Sequence, residues 1–334
     1  MNLHRFMHLL NARNKELLRD PATWIWNIIF PIFLMVGLAL LVTDETQSQF
    51  KIGVVDQPQK NIETLLQKSL FEMIPYDDKD EALAKLMRHQ LDLVITGGDN
   101  LKYWINDSAP RSLLAEQIMF SQSQDFGFTR TELSGQKIRY LDWVVSGVLG
   151  ITIMHACFFG VGFVIVRYRK NGVLKRFQIT PMYAKEFLAS HVCARLLWLC
   201  VTIPCMFFCL DLVFDFYMQG SYLVLFILLL VGALSLLSLA LLVASRTQSE
   251  ESVIGYLNLL TWPMVFLSGV WFSMEGAPEV VQRIAQLFPL THILSASRAV
   301  MLEGAGFADI WQQIVILSIL SLVIFIMASK RFKW

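Results

Sequence analysis

The side chains that could carry out chemistry in this chain are few, and their spacing fits neither a metal site nor a nucleophile. No Cys-x-x-Cys pair occurs, and His4 and His8 lie four residues apart without a carboxylate or cysteine beside them, which favours an interfacial helix over a metal site. The chain also lacks a Gly-x-x-x-x-Gly-Lys-Ser/Thr phosphate loop, a Gly-x-Ser-x-Gly elbow and a His-Glu-x-x-His pair. All five cysteines lie in apolar stretches, at Cys157, Cys193, Cys200, Cys205 and Cys209. We therefore expect a protein that is not an enzyme and binds no cofactor or metal of its own.

Two polar residues inside long apolar runs, His155 and Arg195, need a separate explanation. A charge at the depth of a bilayer is costly and is often functional. Arg195 has two interpretations, since it can face a polar group on a neighbouring helix or extend toward the membrane edge about two turns away. A membrane-embedded enzyme requires a cluster of acid and base groups in these runs, and none is visible.

The elements that position these residues are mainly membrane helices. Of the 334 residues, 55% are hydrophobic and 16% are charged, whereas soluble domains carry roughly 25% charge. That composition excludes a soluble enzyme, a disordered chain and a disulfide-rich secreted module. A membrane helix needs about 20 apolar residues. The sequence predicts six such runs, at about 24–42 (within a first segment 22–42), 143–166, 187–210, 222–244, 253–272 and 310–328.

The distribution of charge predicts how these helices are oriented. Basic clusters lie before the first run, between Arg167 and Arg176, and at Lys330–Lys333. Lysine and arginine near helix ends mark the cytoplasmic side, and six spans place all three clusters there. The segment 43–142 falls on the opposite side, and it holds 11 basic and 16 acidic residues. We expect cytoplasmic termini and an external, acidic segment 43–142.

Segment 43–142 is predicted to be a small α/β domain inserted between the first two membrane helices. The rest of the chain, 143–334, then holds membrane helices two to six. Strands are expected where apolar residues form short runs, and helices where they recur every three to four residues. The predicted strands are 50–56, 91–96 and 101–106, and the predicted helices are 61–73, 77–89 and a long one from Ser108 toward Arg139.

The basic loop after the second membrane run contains a short amphipathic segment. Asn171-Gly172 marks a break, Val173–Ile179 is long enough for about two helical turns, and Thr180-Pro181 ends them. One interpretation is a solvated loop on the positive side of the membrane. The other is a rigid helix, within about 170–182, on which a cytoplasmic partner docks.

The fifth apolar run is followed by two shorter apolar stretches that break at Pro289. Each stretch is too short to span a bilayer, so together they predict a helical hairpin at about 275–300 that dips back into the membrane. Aromatic residues of this region either line an apolar path or form an interfacial belt. These residues are Trp262, Phe266, Trp271 and Phe272.

Three separated motifs resemble those of ABC-2 type transporter permeases, the membrane subunits of ABC exporters. The first runs Asn258…Pro263…Phe266-Leu-Ser-Gly269…Phe272…Pro289-Leu-Thr291…Arg298, and the second runs Arg169…Gly172-Val-Leu-Lys-Arg176…Thr180-Pro181. The third comprises Phe50–Asp56, Glu81-Ala-Leu83 and Leu91–Ile95, which are similar to the external domain of the long-insert branch. The chain departs from the family where Lys170 and Lys175 replace acids that are common in its loop.

The resemblance implies that the chain is half of a membrane dimer, made with a second copy or a paralogue, in a cell's inner membrane. Two separate cytoplasmic ATPase subunits would bind ATP and Mg²⁺ and drive a hydrophobic or amphipathic substrate, such as a drug or lipid, outward. Residues 1–21 resemble the family's interfacial connecting helix. A periplasmic adaptor remains an open partner, membrane lipids are expected around the helices, and nucleic acid is not expected. The alternative is a membrane scaffold that an ATPase drives without transport.

The resemblance also assigns roles to particular residues. The ATPase-docking residues would be Gly172, Leu174, Lys175, Arg176, Phe177, Thr180 and Pro181. The residues of the substrate path or dimer interface would be Phe30, Asn258, Trp262, Phe266 and Ser268.

Overall fold

The computed structural model describes the chain in twelve stretches that together contain every element discussed below. They are 3–41, 50–55, 71–87, 91–96, 102–106, 109–121, 129–133, 140–179, 184–214, 216–271, 274 and 277–332. The chain divides into two compact units. The helical unit comprises Met1–Gly37, Leu141–Phe272 and Glu279–Trp334, and the sheet unit comprises Leu38–Tyr140 and Ser273–Pro278.

The N-terminal segment is a series of helices that is interrupted at Asp20, before Pro21. Proline fits the first turn of a helix because the amide that it lacks has no partner there, and the Thr23 hydroxyl donates to the Asp20 carboxylate over 2.8 Å. The elements are α1 (Leu3–Arg19), α2 (Pro21–Trp24), a π-helical turn (Ile25–Ile29) and α3 (Phe30–Leu41). The apolar part that the structure describes, Ile25–Leu38, is shorter than a full membrane span.

The sheet unit is a five-stranded sheet with helices on both faces. Its elements are β1 (Phe50–Val55), β2 (Phe71–Tyr76), α4 (Lys79–Met87), β3 (Leu93–Thr96), β4 (Lys102–Asn106), α5 (Pro110–Ser121) and β5 (Thr129–Leu133). The strand order is β2-β1-β3-β4-β5, and every neighbouring pair is parallel except β3 with β4. Because β1 and β3 are buried on both faces of the sheet, their residues 52–55 and 93–95 are consecutively non-polar rather than alternating with polar residues.

Two predicted helices of this unit are wrong where the structure describes them. The predicted helix 61–73 overlaps β2 at residues 71–73, and its residues 61–70 lie outside the described part of the chain. Pro75 is tolerated in β2 because that strand is at the edge of the sheet. The long helix predicted from Ser108 toward Arg139 ends at Ser121, and β5 follows. The alternating β-branched Thr129 and Thr131 favour that strand.

Among the residues that the structure describes, the helical unit contains four helical segments that are long and apolar enough to cross a membrane. They are Leu141–Lys170, Glu186–Phe214, Tyr222–Ala244 and Trp311–Arg331. Leu141–Lys170 includes most of α6 (Tyr140–Cys157), a second π-helical turn (Phe158–Phe163) and α7 (Val164–Lys170). The remaining helices are α8 (Val173–Gln178), α9 (Ala184–Phe214), α10 (Tyr222–Ala244), α11 (Glu250–Leu267), α12 (Glu279–Ala285), α13 (Pro289–Glu303) and α14 (Trp311–Arg331).

Four of the six predicted spans are therefore confirmed as long apolar helices, whereas the described parts of the first and fifth runs are too short or too polar to count as spans. The fifth run, predicted as 253–272, ends as a helix at Leu267, and Gly269 follows with a φ of 68°. The stretches on either side of Pro289 are separate helices, α12 and α13. Their dip into the bilayer stays a prediction.

Helix α10 forms the centre of the helical unit. Leu228, Leu236 and Ala240 on it are fully buried, and they recur at the four-residue spacing that places side chains on one helical face. Gly232 belongs to the same stripe and lets α13 approach closely, because a β-carbon there would lie 2.6 Å from Ile293. This core holds the ends of the membrane helices at which the candidate site is built.

Candidate coupling site and the arginines around it

A residue in the left-handed backbone conformation creates the turn into the short helix α8. Gly172 has a φ of 70°, which L-residues with a β-carbon adopt only at a cost of roughly 1–2 kcal/mol. The amide of Asn171 donates to the carbonyl of Arg167, and the Gly172 amide donates to that of Arg169, so α7 ends in a tight turn. The chain therefore leaves the membrane helix and starts α8 within two residues.

Helix α8 has one face anchored in the protein and one face open. Leu174 is fully buried, and the Phe177 ring lies 5.7 Å from the ring of Phe187 on α9. Between these anchors, Lys175 and Arg176 are exposed and form no ion pair with a described residue. Of the predicted docking residues, Thr180 and Pro181 lie outside the described residues.

Arg169 joins the end of α7 to the end of α10. Its Nη1 donates to the carbonyl of Ala244 over 2.9 Å and also to that of Thr247, and its Nη2 donates to that of Ser245 over 3.3 Å. The last carbonyls of a helix have no partner within the helix, so the guanidinium satisfies and neutralises the end of α10. The Arg169 guanidinium also lies 5.6 Å from the ring centre of Phe332.

Lys170 adds a weaker link to the start of α11. Its ammonium lies 3.8 Å from a carboxylate oxygen of Glu250 and 3.8 Å from one of Glu251. The pKa of Glu251 is lowered, first by a hydrogen bond from its own backbone amide and then by the charge of Lys170. The lysine that departs from the family pattern thus has acidic neighbours in the first turn of α11.

Helix α1 is tied to the second π-helical turn through Arg13. Arg13 is buried, and its guanidinium donates to the Gly160 carbonyl over 2.9 Å and to the Tyr168 hydroxyl over 3.2 Å. Glu16 accepts from the same guanidinium at 2.7 Å and also from the Tyr168 hydroxyl. The N-terminal helix therefore contacts the membrane helix that leads to α8.

Arg195 of α9 lies beside the same π-helical turn. Its Nη2 donates to the Asn27 side-chain oxygen over 3.0 Å, and Asn27 belongs to the first π-helical turn. Gly160 makes room for the guanidinium, because a β-carbon there would lie 2.6 Å from Cζ. No described carboxylate pairs with Arg195, and its Nε has no acceptor. Of the two interpretations, the structure shows the one in which Arg195 faces a polar group on another helix.

The predicted path residues lie in three different settings. Trp262 and Phe266 are exposed on α11 with their rings stacked 6.0 Å apart, and Asn258 on the same helix is half-buried. Phe30 is half-buried against Trp26, at 4.9 Å between ring centres. Ser268 is buried, and its hydroxyl lies 2.9 Å from that of Thr291 on α13. Ser268 is thus part of a helix junction, whereas the two rings form an open aromatic face.

A fourth arginine, Arg298 of α13, also contacts this junction. Its Nε donates to the Ser146 hydroxyl over 3.1 Å, and its Nη2 donates to the Gly269 carbonyl over 2.6 Å. The guanidinium lies 3.5 Å from the ring centre of Trp143. Sequence reasoning placed Arg298 in a family motif but gave it no contact, since its partners are 29 and 152 residues away.

The family of this chain is settled by a match that spans nearly all of it. The family model described as "ABC-2 family transporter protein" matches residues 21–330. The chain belongs to the ABC-2 transporter family. The resemblance seen in the sequence motifs is therefore confirmed, and the chain is a membrane protein of the ABC transporter permease class.

Three relatives show how the similarity is distributed. The "Probable multidrug ABC transporter permease YbhS" of Escherichia coli (strain K12) is 20% identical over 344 residues, 91% of this chain and 90% of the relative. The "Inner membrane transport permease YhhJ" of the same strain is 23% identical over 173 residues, 52% of this chain. "Nodulation protein J" of Sinorhizobium fredii is 35% identical over 69 residues, 21% of this chain and 26% of the relative. The chain spans about half of YhhJ, 46% of its length.

Proposed function

We propose that this chain is the membrane subunit of an ABC exporter that moves a hydrophobic or amphipathic substrate outward, using ATP hydrolysed by a separate ATPase. The observation that carries the proposal is the construction of α8. It presents Lys175 and Arg176 to the outside, while Leu174 and Phe177 fix it to the membrane helices. A short helix held rigidly at the end of a membrane span is suited to transmit force from a docked subunit.

The contacts around α8 give a route for that force. A push on α8 reaches α9 through the rings of Phe177 and Phe187. It reaches α10 through Arg169, which is attached to the last carbonyls of that helix. Binding of nucleotide between two ATPase subunits would stabilise one arrangement of these helices over another. Packed helices respond by shifting as rigid bodies rather than by deforming.

The open aromatic faces support a dimer with a path along its interface. Trp262 and Phe266 on α11 are exposed, as are Trp26 and Phe33 at the first apolar helix. Such faces must be covered by lipid, substrate or a second permease copy or paralogue. An apolar, aromatic path fits drugs, lipids or lipid-linked molecules, and the word "multidrug" in the name of YbhS is consistent with that class.

The proposal also locates the nucleotide sites, the chain termini and segment 43–142. ATP and Mg²⁺ would be held by two ATPase subunits, one on each permease copy. Both termini would be cytoplasmic, because Lys330 and Arg331 are exposed at the end of α14, as Lys175 and Arg176 are on α8. Segment 43–142 would then lie on the periplasmic or extracellular side of the inner membrane, where a periplasmic adaptor is a further candidate partner.

Reconstitution distinguishes transport from the alternative, a scaffold driven by an ATPase. The chain and its ATPase are placed in proteoliposomes, and ATP hydrolysis and accumulation of a fluorescent amphiphile are followed together. The proposal predicts that both occur and that both stop when the ATPase cannot hydrolyse ATP. Hydrolysis that the permease stimulates, with no movement of any tested amphiphile, would support the scaffold instead.

A further inference from the structure

A groove between α9 and α10 lies apart from the coupling site and the α11 aromatic face. It has a volume of about 460 Å³, which is within the usual range for small-molecule sites of roughly 300–1,000 Å³. Aromatic residues and one acid stand out among its lining residues. The lining includes Pro204, Phe207, Phe208 and Asp211 on α9, and Tyr222 and Phe226 on α10.

The aromatic rings of the groove form a wall that is open on one side. Phe207 is buried and meets Tyr222 edge-on, at 5.5 Å between ring centres, so one part of the wall is fixed. Phe208 is 68% exposed and Tyr222 is 56% exposed. A ligand can therefore enter from the side without displacing the packed core of the helical unit.

Asp211 makes the groove negatively charged. Among the described residues that line it, Asp211 is the only charged one. Its carboxylate is half-buried and makes no hydrogen bond or ion pair with a described residue. A carboxylate beside apolar walls attracts a cation more strongly than it would in bulk water, because the local dielectric constant is lower. The faces of aromatic rings attract cations as well.

We propose that this groove binds lipophilic organic cations, in which one ammonium or phosphonium centre carries aromatic or alkyl groups. The charged centre lies beside Asp211, and the apolar groups pack on Phe207, Phe208 and Tyr222. An anion of the same shape is rejected, because the same carboxylate repels it. The inference rests on the proposed function, since it names a substrate class for that exporter.

The test is equilibrium binding of radiolabelled tetraphenylphosphonium to the purified full-length chain in phosphatidylglycerol nanodiscs. Tetraphenylborate is the matched probe, because it has nearly the same shape and the opposite charge. We expect saturable binding of the phosphonium and at least tenfold weaker binding of the borate, and we expect Asp211→Asn to lose most of this preference although the anionic lipid is the same. A preference of the same size in Asp211→Asn would show that the lipid charge causes it and would overturn the proposal. Equal binding of the two ions would show that only apolar surface is recognised and would overturn the proposal.

Variants assign the binding to the groove. Asp211→Asn keeps the size of the side chain and should weaken phosphonium binding at least tenfold, or about 1.4 kcal/mol, while Asp211→Glu should bind within about threefold of wild type. Phe208→Leu keeps an apolar side chain without a ring and should weaken binding about threefold. The control is Glu279→Gln, which removes an exposed carboxylate outside this groove. Unchanged affinity in Asp211→Asn would overturn the proposal.

A lipid headgroup is the competing occupant, and the nanodisc composition tests it. Phosphatidylserine carries an ammonium and the same net charge as phosphatidylglycerol, so phosphonium affinity should stay within about twofold when it replaces phosphatidylglycerol, if the groove takes organic cations. A tenfold loss would place the lipid in the groove and contradict the proposal. The binding assay contains no ATPase, so it is independent of the transport assay. Loss of phosphonium binding together with intact transport would therefore refute this inference alone. Intact binding without transport would remove the proposed function alone.

Discussion

Replacing Arg169 by methionine should destabilise the helical unit by roughly 3 kcal/mol. The guanidinium donates to the carbonyls of Ala244, Ser245 and Thr247, and a hydrogen bond from a charged donor contributes about 1.5–3 kcal/mol when it is buried. Arg169 is half-buried, and one of its bonds is long, so three bonds together are worth about 3 kcal/mol. Stacking on Phe332 adds at most about 0.5 kcal/mol at 5.6 Å.

The assay is equilibrium unfolding of the purified chain, with SDS titrated into a mild detergent and helix content followed by circular dichroism. Arg169→Lys should lower the free energy of unfolding by about half as much as Arg169→Met, because an ammonium keeps the charge but lacks the planar guanidinium that reaches three carbonyls. Arg167→Met is the matched control, since Arg167 is exposed on the same helix and makes no such bonds. Arg169→Met within about 1 kcal/mol of Arg167→Met would refute the assigned attachment of α7 to α10.

Three other substitutions test separate parts of the structure. In the same assay, Gly172→Ala should lower the free energy of unfolding by about 1–2 kcal/mol, because Gly172 has a φ of 70°. Gly255→Ala is the control and should be neutral or stabilising, because Gly255 lies in α11 and a β-carbon at either position would have no atom within 4 Å. Asn27→Leu should lower the free energy of unfolding by about 2 kcal/mol, because the Nη2 of Arg195 loses its acceptor. The double variant Asn27→Leu with Arg195→Met removes the buried charge as well, so its stability should return to within about 1 kcal/mol of wild type. A double variant less stable than Asn27→Leu would contradict this reasoning. Phe266→Gln should slow transport in proteoliposomes without changing the unfolding midpoint, since the ring is exposed, and wild-type transport would remove Phe266 from the path.

The elements that the sequence predicts well are those whose local pattern agrees with their tertiary setting. The break at Gly172 and the exposed Lys175 and Arg176 follow from a short amphipathic pattern. Leu174 was expected among the docking residues, and the structure shows it fully buried. Strands β1 and β3 contain consecutive non-polar residues at 52–55 and 93–95, and their predicted bounds agree with the structure within one or two residues. In contrast, β5 pairs with β4 at a distance along the chain, and the apolar spacing before it resembles a helix.

The contacts that join the helices could not be predicted, because they link residues far apart in the sequence. Arg169 reads as one more charge in a basic loop, and its acceptors lie 75 to 78 residues away. Asn27 and Gly160 lie in different π-helical turns, and only the fold brings both beside Arg195. The sequence contains one indication of the Arg169 contact. The last turn of α10 has no basic residue, so the last carbonyls of that helix need a donor from another element.

Binding of the ATPase subunit to the nanodisc-embedded chain tests the central claim most directly. Reversing the charges on α8, by Lys175→Glu with Arg176→Glu, should weaken this binding at least about tenfold and abolish ATP-driven transport, because like charges would face the subunit's docking surface. The control reverses an exposed basic pair at the end of α14, by Lys330→Glu with Arg331→Glu, and should leave affinity within about twofold. Equal affinity of the two double variants, with transport intact in both, would contradict the assignment of α8 as the coupling helix.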